Sequence, residues 1–189
     1  MSAMASLSNL LRAAAVVGAE IPLAAALVGL DVVARLLPHA PNLTPVAASA
    51  LFAGMVFRSR TLALAVPLAA LLLSDLVTGF YDWRVMVVVY AALTLPALIA
   101  RWGRRFGTPI VVVPAALSSS LIFFVTTNFA VWAFSGMYSA DFGGLVRCYV
   151  AALPFLQNTV TGDIVWTAAL FGGWLLARRS YSAMLPRPV

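Results

Sequence analysis

Several acidic, amide and aromatic residues of this chain stand where an apolar segment would be expected to continue. Asp75 interrupts an apolar run in LLLSDLVTGFYDWR, and Tyr81, Asp82, Trp83 and Arg84 follow closely. Asn128 and Trp132 lie in TTNFAVW, and Asn158, Asp163 and Trp166 in QNTVTGDIVW. Carboxylates and carboxamides offer acceptors and donors to a polar solute, while phenol and indole rings stack on an apolar or aromatic one. Polar groups and aromatic rings on one concave apolar wall are the usual make-up of a small-molecule site. Asp75, Asn128, Asn158 and Asp163 are therefore candidate polar contacts, and Tyr81, Trp132 and Trp166 candidate stacking contacts. An acid-rich pocket favours a neutral or cationic solute, because an anion would meet uncompensated carboxylates.

Each of these residues also has a structural reading. Trp83, Trp132 and Trp166 fit an interfacial aromatic belt. Asp163 can cap a helix N-terminus, Asp82 and Arg84 can form an exposed loop pair, and Asp75 and Asn128 can be interhelical hydrogen-bond glue. Asp75 has no arginine three or four residues away on either side, so no cation of its own helix neutralises it.

Signatures of catalysis are missing. There is no HExxH, GxSxG or Walker A motif. The single Cys148 and single His39 leave no multi-cysteine or multi-histidine metal site. Ser118 to Ser120 have no neighbouring His or Lys to activate a nucleophile. The expectation is a protein that is not an enzyme and holds no metal or cofactor. A lipid-directed intramembrane enzyme would have to rely on Asp75 with Asp163.

The elements that position these groups follow from composition. The chain has 189 residues, 63% hydrophobic and 10% charged, with a mean hydropathy of +1.00. Soluble proteins carry about 25% charged residues. The expectation is an all-α integral membrane protein of one domain, residues 1–189. Apolar runs and breakers predict six transmembrane helices at about 11–37, 43–57, 61–78, 85–100, 109–134 and 158–177. A short interfacial helix, about 144–153, is predicted before the last one, separated from it by Pro154.

All twelve basic residues are arginine, and they give a net charge of +6. In a membrane chain they act as topology signals rather than as a nucleic-acid surface. Alternating crossings put nine arginines on the side of the termini and three (Arg35, Arg84, Arg147) on the other, so both termini are expected in the cytoplasm. Five of the six acids then belong to the outer half, and only Glu20 to the inner. The loops FYDWR and SGMYSADFGG can act as lids over an outer pocket. Asp31 and Arg35, four residues apart, can pair on one helix face. The first helix also carries Ala14-x-x-x-Gly18, Ala15-x-x-x-Ala19 and Ala25-x-x-x-Gly29. Such spacing lets helix backbones approach closely, either within the protein or against a partner membrane protein.

The segments PNLTPVAASALFAGMVFRSR, LLLSDLVTGFYDWRVMVVVYAAL, TTNFAVWAFSGMYS and CYVAALPFLQNTVTGDIVWTAALFG resemble a bacterial family of small membrane proteins described as transporters of unknown function. The resemblance covers residues 41–172, approximately. That family in turn is similar to the substrate-binding S components of energy-coupling-factor (ECF) vitamin transporters, in size, helix number and motifs of the type APNLTPVAA…SD and NTVTGD. The resemblance implies a six-helix protein of the bacterial cytoplasmic (inner) membrane that binds a vitamin or similar micronutrient at its extracellular face. It also implies that Ala14, Gly18, Ala25 and Gly29 dock on a membrane scaffold protein driven by two ATPases, with the S component toppling during transport. No substrate-specific motif of a known vitamin family is matched. The alternative is a structural or assembly protein of the membrane without a small-molecule ligand.

Overall fold

The computed structural model describes the backbone of residues 2–106 and 108–184, and the side chains of residues 17–106 and 110–180. Among these residues all regular structure is helical: α1 (Ser2–Leu36), α2 (Val46–Val56), α3 (Arg60–Thr78), α4 (Trp83–Gly103), a 3-10 turn (Arg104–Phe106), α5 (Thr108–Phe134) and α6 (Phe142–Met184). Five stretches, within α1, α3, α4 with its 3-10 turn, α5 and α6, are long and apolar enough to cross a bilayer. The protein is a helical membrane protein.

The breaks have local causes. Ser59 accepts a hydrogen bond from the Leu62 amide and starts α3, which ends at Gly79 with a φ of 100°. Asp82 caps α4 by accepting from the Arg84 and Val85 amides. Between α1 and α2, Asn42 takes a φ of 64° in the proline-rich connection. Pro45 stands at the N-cap of α2, so residues 43–45, expected in the helix, belong to the connection instead. At 1.5 Å per residue the eleven residues of α2 extend only about 16 Å, roughly half of a 30 Å hydrocarbon core.

The end of the chain differs from expectation. The short interfacial helix and the separate last helix are one continuous helix, α6, with Pro154 inside it. Proline removes one backbone hydrogen bond and costs a helix interior about 3 kcal/mol, but here packing holds both flanks. Before Pro154, the Tyr149 hydroxyl donates to Val125 O at 2.6 Å and its ring meets Phe124 edge-on at 5.5 Å. After it, Ser120 of α5 meets Asp163 at 2.5 Å, and a β-carbon on Gly162 would lie 3.2 Å from Leu43 Cα. Asp163 consequently lies within a helix and caps nothing.

α2 sits in the centre, packed by α3, α4, α5 and α6, while α1 stands outside against α3. Side-chain bonds fix the helix directions. Asp31 meets Ser49 and Glu20 meets Arg58, so α1 and α2 run antiparallel. Arg35 meets Asp75, which brings the C-terminal ends of α1 and α3 together. Arg101 reaches Phe57 O, which places the end of α4 beside the end of α2. Ser120 meets Asp163 and Val125 meets Tyr149, so α5 and α6 are antiparallel. Successive helices therefore alternate in direction.

The end carrying Arg101 is densely packed. Phe52 of α2 meets Phe171 at 5.2 Å and Trp174 at 5.8 Å, both edge-on. A β-carbon on Gly54 would lie 2.7 Å from Ala97 Cα, so glycine is required for α2 and α4 to approach this closely. The turn between α2 and α3 is clamped from both sides. Glu20 accepts from the Arg58 and Ser59 amides at 2.6 and 3.1 Å. Arg101 donates to Phe57 O and Arg58 O, and Arg104 to Gly54 O and Phe57 O. An anion at the start of α3 and cations at the end of α2 both complement the helix dipoles.

Candidate functional site

At the opposite end, the shortness of α2 leaves room. A cavity of about 280 Å³ lies there, with walls from α1, the α1–α2 connection, α2, α4, α5 and α6. Its polar lining is Arg35, His39, Asn42, Thr44, Ser119, Thr159 and Asp163. A second cavity of about 290 Å³ shares Asn42, Val89, Phe123 and Thr159 with the first. It is more apolar, with Phe124, Phe155, Met137 and Tyr138, and adds Thr127 and Asn128. The two form a polar compartment beside an aromatic one.

The hydroxyls are oriented by their own helices. Ser119 Oγ donates to Ala115 O at 2.6 Å, Thr127 Oγ1 to Phe123 O at 2.7 Å and Thr159 Oγ1 to Phe155 O. With the hydrogen spent on the backbone, each oxygen presents lone pairs. His39 Nδ1 lies 2.7 Å from Leu37 O. A carbonyl only accepts, so Nδ1 carries the hydrogen of this contact. Asp163 adds a carboxyl group, 4% exposed, whose Oδ2 lies 2.5 Å from Ser120 Oγ. The Arg35 guanidinium is committed to Ser74 Oγ at 2.6 Å and Asp75 Oδ1 at 2.5 Å. The wall is rich in acceptors and suits a ligand that brings donors.

The candidate residues divide. Asp163 borders the polar compartment and Asn128 the aromatic one. Asn128 Nδ2 donates to Phe124 O at 2.7 Å. Asp75 borders neither. It is buried, with its oxygens taken by Arg35 and by the Tyr90 hydroxyl at 3.0 Å. Arg35 is a cation from another helix, so the expected Asp31–Arg35 pair gives way to Arg35–Asp75, and Asp31 instead accepts from Ser49 Oγ at 2.8 Å. With Asp75 outside the cavity, the two acids of the lipid-enzyme reading do not share a site. Tyr81 is exposed outside the cavities; partial burial, then the nearby Asp75 carboxylate, pushes its phenol up to about 12. Trp132 donates from Nε1 to Ser139 O at 3.0 Å and so anchors the α5–α6 loop. Asn158 and Trp166 are half-buried, outside both cavities, and the Trp166 indole N–H is buried without a partner. Of the two loops read as lids, SGMYSADFGG reaches a cavity, through Met137 and Tyr138. FYDWR does not, and its Asp82 and Arg84 form an exposed ion pair at 2.7 Å.

Sequence reasoning missed Arg35, His39, Ser119, Thr159 and Phe123 as lining residues. A signal existed for Ser119, in the serine run of α5. Thr159 and Phe123 gave none, because their role depends on α2 being short.

On α1, Gly18, Ala25 and Gly29 are exposed, and nothing lies within 4 Å of a β-carbon built on either glycine. They are not used for packing among the described residues. The Ala14 side chain lies outside the described residues.

Fold and site together define a helical membrane protein with a two-compartment cavity at one end. The chain belongs to a family of unknown function, DUF6580, which matches residues 17–184. No curated protein and no solved structure matches it.

Proposed function

We propose that the protein is a membrane-embedded substrate-binding subunit for uptake of a small neutral or cationic solute, similar to an ECF S component. The observation that carries this reading is Asp163, a buried acid on the wall of an acceptor-lined cavity. A carboxylate within a membrane segment costs up to about 2.5–3.5 kcal/mol, the value at the bilayer centre, and its retention on the cavity wall suits a ligand contact. The neighbouring aromatic compartment suits an apolar or ring-bearing body on the same solute.

Orientation rests on the arginines. Arg58, Arg60, Arg101, Arg104, Arg105, Arg178 and Arg179 belong to the densely packed end, and Arg35, Arg84 and Arg147 to the cavity end. The positive-inside rule makes the first end cytoplasmic and the cavity extracellular. In this reading α2 and its connection complete a sixth crossing, both termini are cytoplasmic, and the membrane is the bacterial inner membrane. The exposed Gly18, Ala25 and Gly29 face of α1 is then available to a scaffold protein coupled to ATPases.

A second reading, an assembly protein without ligand, is favoured by Asp75. Its bonds to Arg35 and Tyr90 tie α1, α3 and α4 together as interhelical glue. Native mass spectrometry of the purified protein separates the two. The solute-binding reading predicts a co-purifying small molecule that is lost in Asp163→Asn. Wild-type protein free of any adduct, with Asp163→Asn indistinguishable from it, favours the assembly reading.

A further inference from the structure

We propose that the flank between α5 and α6 at the arginine-rich end is a binding site for one anionic phospholipid, whose acyl chain lies in an apolar groove and whose phosphate meets Arg178. Two hollows, of about 660 and 310 Å³, form this groove. They share Val112, Val113 and Phe171 and so are continuous. The first reaches Met55 and Val56 at the end of α2 and Arg178 on α6. The second continues toward the middle of the helices, to Leu117 and Ile164. Apart from Arg178 and Thr167 the lining is apolar, and no acid borders it.

Depth points to a lipid. Ile164 and Arg178 are fourteen residues apart on α6, about 21 Å along the axis at 1.5 Å per residue. Half of a bilayer with its headgroups is about 20–22 Å. The groove thus runs the depth of one leaflet, from the arginines to the middle, and stops where a lipid chain stops. A partner helix crosses both leaflets, and the groove does not. Its floor is held by Phe52, whose ring meets Phe171 at 5.2 Å and Trp174 at 5.8 Å, both edge-on. Gly172 lies on the lining, and a β-carbon built there has nothing within 4 Å. No packing among the described residues requires glycine at this helical position, where alanine is the better helix former. The space it leaves is open to an acyl chain.

Charge selects the headgroup. A guanidinium presents a planar fork of N–H donors that matches a phosphate. At this end Arg101 and Arg104 donate to carbonyls at the end of α2 and in the α2–α3 turn, whereas Arg178 borders the groove. With a cation at the mouth and no acid on the lining, a lipid of net negative charge is preferred over a zwitterionic one. The site lies at the opposite end from the solute cavity and stands or falls independently of the solute-binding reading.

Native mass spectrometry of the delipidated full-length protein, titrated in detergent with phosphatidylglycerol and with phosphatidylcholine of the same chains, tests the site. The expected result is one saturable lipid, with phosphatidylglycerol held about fivefold tighter than phosphatidylcholine. Arg178→Gln is expected to remove that preference and leave the weaker binding of both lipids. Gly172→Leu, which puts a side chain into the groove, is expected to weaken both about tenfold. Ala168→Leu, at an exposed position of the same lining, takes its place if Gly172→Leu does not fold. Equal affinity of the wild type for the two lipids overturns the inference, as does a preference that survives Arg178→Gln. Binding unchanged by a side chain placed in the groove also overturns it, because the lipid then sits elsewhere on the surface.

Discussion

Asp75 and Asp163 are two buried acids with opposite surroundings. Asp75 was legible in the sequence as an acid without a local cation, but its partner Arg35 is forty residues away, beyond the reach of any helical-spacing rule. Removing one member of a buried pair leaves the other charge uncompensated and costs about 3–5 kcal/mol. Arg35→Met is therefore expected to lower stability by about that much, measured by reversible unfolding in mixed micelles, with Arg35→Met/Asp75→Leu recovering part of the loss. Asp82 gives a pH dependence. The Arg84 side chain, helped by the Arg84 and Val85 amides, lowers its pKa from 3.8 to about 2. A depressed carboxylate pKa means that stability is fully present above the ordinary value and is lost as pH falls through the lowered one. The melting temperature should carry an acid limb between the ordinary value and about 2 that disappears in Asp82→Asn.

At the scale of elements, the short α2 decides where the cavity can be, because its length leaves the other helices unfilled on one side. The sequence placed α2 correctly between its prolines and Arg58, yet did not reveal that Pro45 delays its start. Pro154 misled in the opposite direction. A proline is a strong local stop signal, but the contacts of Tyr149 and Asp163 with α5 that override it are tertiary. Close packing at the other end yields a contrast between glycines. Gly54→Ala drives a methyl group into the Ala97 backbone and is expected to destabilise by about 1–3 kcal/mol. Gly18→Ala meets open space and is expected to leave the isolated protein as stable or slightly more so, since alanine is the better helix former by about 1 kcal/mol. Thermal unfolding of both variants in one detergent checks the pair.

At the scale of the whole molecule, the alternation of helices and the sorting of arginines to one end were readable from composition and pattern. The partition of polar residues between glue and cavity was not, because it depends on which helices are neighbours. The proposed orientation predicts that a membrane-impermeant thiol reagent applied to intact cells labels Met137→Cys but not Arg105→Cys, in a background with Cys148 replaced by serine. The claim most in need of a direct test is that the cavity beside Asp163 binds a solute while Asp75 holds helices together. A thermal-shift screen of purified wild type, Asp163→Asn and Asp75→Asn against water-soluble vitamins, nucleobases and amines tests it. A ligand at one hundred times its dissociation constant adds about 2.7 kcal/mol to the folded state, a readable rise in melting temperature. The expected result is a compound that stabilises wild type and Asp75→Asn, the latter from a lower starting point, and fails to stabilise Asp163→Asn. No stabilising compound in the panel, or one whose effect survives Asp163→Asn and vanishes in Asp75→Asn, contradicts it.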